Sequence, residues 1–146
     1  MNALSLHFSW AEAVNSSTAQ RLGIKNVPDD TTSRNMQQAA EALEDVRTLL
    51  GNRSLHVDSW YRCPELNEAV RGSATSAHMS GWAIDFVCAG FGGPLDIVMA
   101  IQASTILFDQ LIQEGTWVHI SFDPRMRQQV MTAHFGDGGT TYTQGA

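Results

Sequence analysis

Three side chains in this chain have the types and the spacing to hold a metal ion: His78, Asp85 and His119. The first two sit seven residues apart in Ser76-Ala77-His78-Met79-Ser80-Gly81-Trp82-Ala83-Ile84-Asp85, with Gly81 between them. In Trp117-Val118-His119-Ile120-Ser121-Phe122, a strand would turn Val118, Ile120 and Phe122 to the core and present His119 on the opposite face. The same alternation over Ala83-Ile84-Asp85-Phe86 turns Asp85 away from the core. If Gly81 folds the loop back, His78 completes a His, Asp, His set, which suits zinc: two imidazoles and one carboxylate fill three tetrahedral positions and leave the fourth for water. Zinc lowers the pKa of such a water from 15.7 to about 7 and polarises a carbonyl beside it. Taken singly, each of these residues is more often solvated or hydrogen-bonded than a ligand, so spacing alone does not decide the matter.

The elements that must position them follow from pattern. Ser9-Trp10-Ala11-Glu12 has the spacing of a capping box behind the apolar Phe8, which predicts a short helix from Trp10 to about Ser16. Asp29 to Ser33 offer several N-caps to a long helix whose Met36, Ala39, Ala40, Leu43, Val46 and Leu50 recur at helical period until Gly51. Period-two patterning over 54–61 predicts a strand, with Leu55, Val57 and Ser59 on one face and His56, Asp58 and Trp60 on the other. A short helix from Pro64 to about Val70, a polar loop over 71–80, a strand over 83–89 and a helix from Pro94 to about Ala103 come next. Strands over 108–113 and 117–122 read as a hairpin turning at Gly115. The Gly- and Thr-rich tail, 136–146, reads as an edge strand or a loosely held arm. The sum is one α+β domain over 1–146, with helices flanking a central, mainly antiparallel sheet.

Composition narrows the classes. A length of 146 residues and a hydrophobic share of 43% fit one globular core. The net charge of -6, with Lys and Arg spread singly, argues against a nucleic-acid partner. No apolar run reaches the ~18 residues of a membrane span, and no secretory signal is recognised at the start, so synthesis in the cytoplasm without a membrane anchor is expected. Two cysteines, Cys63 and Cys88, read as free, buried thiols.

Ser76-x-His78-x-x-Gly81-x-Ala83-x-Asp85, followed by Trp117-x-His119, resembles the zinc-ligand signature of the D-alanyl-D-alanine carboxypeptidase and L-alanyl-D-glutamate peptidase family. That family shares its fold with lysostaphin-type enzymes and the hedgehog signalling domain. The segments Ser59-x-Tyr61-Arg62-x-Pro64-x-Leu66-Asn67 and Phe108-Asp109-Gln110-Leu111-Ile112 resemble those of its small phage members, and the likeness runs from the first helix to about Phe135. The resemblance implies a hedgehog-like fold, one zinc ion on His78, Asp85 and His119, and an Arg62 that binds substrate or stabilises an oxyanion. Ser76 is then placed to orient the loop or contact the peptide, and Trp82 and Trp117 to wall a groove.

The sequence departs from the family at Thr116, three positions before the last histidine, where many members carry the acid that serves as general base. Glu114, beside the Gly115 turn, is the chosen replacement; Asp109 and Asp123 are weaker candidates, and His134 is the first alternative ligand. The expected activity is hydrolysis of an amide bond in the stem peptide of bacterial peptidoglycan by a monomeric phage endolysin, held in the host cytoplasm until release to the wall. A bacterial D,D-carboxypeptidase or dipeptidase, and an inactive zinc-bearing binding or virion module, are the competing readings.

Overall fold

The longest element forms for the reasons its sequence gives. In a computed structural model, which describes residues 2–146, Asp29 accepts a hydrogen bond from the Thr32 amide at 2.8 Å and starts a helix that runs Asp30–Leu49 (α3). Met36, Ala39, Ala40, Leu43 and Val46 form its buried stripe. Gly51, at φ +83°, turns the chain out of the helix, a conformation that costs glycine little.

Before α3, the Ser9–Glu12 capping box forms with both reciprocal bonds and opens α1 (Trp10–Val14). The helix is shorter than predicted, because Ser16 caps a separate helix, α2 (Ser17–Leu22), which the pattern did not reveal. After α3 come β1 (His56–Ser59), α4 (Pro64–Ala69), β2 (Ala83–Val87), α5 (Pro94–Gln102), β3 (Gln110–Gln113), β4 (Val118–Ser121), β5 (Gln129–Gly136) and β6 (Gly139–Gln144). The six strands form one sheet in the order β1-β2-β4-β3-β5-β6. Every neighbouring pair is antiparallel except β3 and β5. The protein is thus α+β, as its pattern predicts.

Ile84, Phe86, Leu111, Val118 and Ile120 point from the sheet into one apolar cluster with the buried stripe of α3 and with Ile97, Val98 and Ile101 of α5. That cluster occupies one face of β2, β4 and β3, so the other face is left for polar work. The region over 54–61 departs from simple alternation. The register shifts between Val57 and Ser59, a bulge that resets which side chains point inward, and Leu55 and Trp60 both end in the core. Trp82 also lies in the core rather than along a groove, held there by its place just before β2. Cys88 is buried and Cys63 only half-buried, and both are free. No helix among the described residues is long and apolar enough to cross a membrane.

Candidate metal centre

Asp85 and His119 meet because β2 and β4 pair in a register that sets them directly opposite each other. Their side chains leave the sheet on the face away from the core, and His119 Nδ1 lies 2.9 Å from Asp85 Oδ1. His78 arrives from the preceding loop. Gly81, at φ +82°, makes the bend, and a Cβ there would stand 2.6 Å from Met36 Cγ and 3.1 Å from the Thr32 carbonyl, so the turn is pressed against α3. The Arg62 amide donates to the His78 carbonyl at 3.1 Å, and the His78 amide donates to Ser76 Oγ at 3.2 Å. The His78 ring is fully buried, with Nδ1 2.6 Å from the Trp60 carbonyl. A carbonyl can only accept, so Nδ1 carries the proton and the Nε2 lone pair is left for a metal ion, with Asp85 Oδ2 3.3 Å away.

One ligand atom each from His78, Asp85 and His119 lies within 4.8 Å of the others. A tetrahedral ion with bonds of about 2.1 Å separates its ligands by about 3.4 Å, close to the two contacts made by Asp85. Two nitrogens and one oxygen, with one imidazole already oriented by a main-chain acceptor, fit zinc in chemistry as well as spacing. Burial lowers the pKa of His78 and favours the neutral imidazole a metal needs, with Asp85 opposing in part. Burial raises the Asp85 carboxyl, but the two imidazoles more than offset this and hold it well below the usual carboxylate range.

The three residues line a cleft of about 520 Å³, and Arg62, Ser76, Glu114 and Trp117 line it with them. Arg62 Nη2 donates to Ser76 Oγ at 3.4 Å, while Arg62 Nε is buried without a hydrogen-bond partner among the described residues. The guanidinium of Arg62 thus reaches the cleft through its outer nitrogens, where it is suited to an acceptor that arrives with a ligand. Glu114 directly follows β3; burial pushes its carboxyl pKa up, the His119 ring opposes that, and the Asp85 charge adds to it. Trp117 packs on Phe135 with ring centroids 6.1 Å apart.

Other candidates fall away. Asp109 is buried under Arg127, whose Nε and Nη2 reach its two oxygens at 2.8 and 2.9 Å, so it serves an ion pair and not the cleft. Asp123 pairs with Arg125 at 3.1 Å. His134 sits on β5, 2.8 Å from Thr143 Oγ1, and is not among the clustered ligands. Two contributors escaped the sequence: the Trp60 carbonyl, since a main-chain acceptor has no residue-type signal, and Tyr142, whose only signal is being an aromatic in a Gly- and Thr-rich tail. The model of the family described as Peptidase M15 matches residues 6–121. No curated protein matches the chain.

Proposed function

Since this chain belongs to the Peptidase M15 family, we propose that it is a zinc peptidase that hydrolyses an amide bond in the peptide part of bacterial peptidoglycan. The observation that carries the reading is the convergence of His78, Asp85 and His119 on one cleft within the matched span. Those three residues would hold the ion, which supplies Lewis-acid polarisation of a carbonyl and activation of water. The protein's own groups do the rest. Arg62 donates from its guanidinium to the carbonyl oxygen as that oxygen gains negative charge. The Glu114 carboxylate takes a proton from the attacking water and delivers it to the departing nitrogen. A C–O bond forms, the C–N bond breaks, and the products are a carboxylate and an amine.

The finer role is that of a phage endolysin acting on the wall after release from the cytoplasm. It is supported by the likeness of the Ser59–Asn67 and Phe108–Ile112 segments to small phage members of the family. Thr116 at the usual acidic position favours one other reading, an inactive zinc-bearing module. Incubating zinc-loaded protein with purified peptidoglycan, followed by mass spectrometry of released peptides, tests both. New amino termini are expected; their absence sinks the peptidase reading and leaves the module. The pair of ends produced also separates an endopeptidase from a D,D-carboxypeptidase or dipeptidase.

A further inference from the structure

The cleft has a second wall that comes from outside the matched family span. β5 lies parallel to β3, with Ile112 beside Met131 and Gln113 beside Thr132. β6 returns antiparallel to β5, with Ala133 opposite Tyr142. Side chains alternate along a strand, so Ile112 of β3 and Glu114 just past its end share the metal-bearing face, Met131 and Ala133 continue that face on β5, and Tyr142 continues it on β6. Two strand spacings of about 4.8 Å separate the backbones of Glu114 and Tyr142, and the residue between them is the small Ala133. A tyrosine ring can lean across that gap. Tyr142 does line the cleft together with His78, Asp85, His119 and Glu114, and like the rest of its edge strand it is exposed, with 51% of its surface open to a ligand. A tyrosine hydroxyl is a protonated donor at neutral pH.

We propose that Tyr142 contacts the peptide substrate from the β5–β6 wall, its ring packing on the chain beside the bond to be cut and its hydroxyl donating to a carbonyl or carboxylate oxygen there. The proposal rests on the peptidase reading and adds a substrate-binding residue to it. A loop keeps the wall in register with the cleft. Arg127, just before β5, is tied to the buried Asp109 just before β3 through its amide at 3.0 Å as well as its guanidinium.

The test measures kcat and KM of the zinc-loaded full chain on a soluble stem-peptide substrate for Tyr142→Ala, Tyr142→Phe and Thr141→Ala. Thr141 pairs with His134 and points to the opposite face of the same strand. Loss of one aromatic contact and one hydrogen bond should raise KM about tenfold in Tyr142→Ala, and loss of the hydroxyl alone about threefold in Tyr142→Phe, with kcat and zinc content near those of the wild type. Thr141→Ala should behave as the wild type. An unchanged KM in Tyr142→Ala overturns the proposal, as does an equal loss in Thr141→Ala, which would make the effect one of hairpin folding. A wild type that cleaves nothing removes the peptidase reading and this inference together; an active wild type with an indifferent Tyr142 removes this inference alone.

Discussion

Glu114 carries the sharpest claim at the scale of single residues. Replacing it with Gln keeps shape and hydrogen bonding but removes the proton acceptor, so kcat should fall by about 10²–10⁴ while zinc content stays the same. The pH profile gives the sign. A base must be ionised to work, and burial raises the Glu114 pKa above the ordinary carboxylate value. Activity should therefore fall as pH drops through that raised value, earlier than for an exposed glutamate. Steady-state rates between about pH 4 and 8 check this, and an acid limb at the ordinary carboxylate value would argue that another group is the base. The residue type and turn position of Glu114 were legible in the sequence, as the acid two residues before Thr116 and beside the Gly115 turn. The burial that sets its proton affinity was not, since it depends on strands far apart in sequence.

Among the elements, the turn at Gly81 decides whether His78 reaches its partners. Gly81→Ala must adopt φ near +82° and push a methyl group toward Met36 and the Thr32 carbonyl. The expected cost is about 2–4 kcal/mol, or a melting temperature lower by roughly 5–12 °C, together with weaker zinc binding. Calorimetry and a zinc titration measure the two effects, and a variant with wild-type stability would show that the turn has room to relax. Strands with clean alternation, such as β4, could be read directly because one face is apolar throughout. β1 was legible as a strand, but the bulge after which Trp60 enters the core was not. β5 escaped because it is half-buried along much of its length and joins the sheet in parallel, so its side chains carry no sharp two-residue contrast.

For the molecule as a whole, a metal that binds only the folded chain should stabilise it. Zinc at about a thousand times its dissociation constant adds about 4 kcal/mol, which for a domain of this size raises the melting temperature by about 10 °C. A thermal scan with and without a chelator measures this, and identical melting curves would count against a site assembled by folding. The link between metal and fold is tighter than shared stability, because Trp60 holds the turn from two sides. Its carbonyl accepts from the His78 ring, and its indole nitrogen donates to the Gly81 carbonyl at 2.9 Å. Trp60 itself is buried against Phe8, with ring centroids 6.2 Å apart. His78 therefore cannot swing away from the ion unless this part of the interior loosens. Zinc release should then be slow and steeply temperature-dependent, its rate following hydrogen exchange at the Arg62 amide, which is bonded to the His78 carbonyl. The lifetime of the bound ion becomes a clock for how often the N-terminal side of the core breathes.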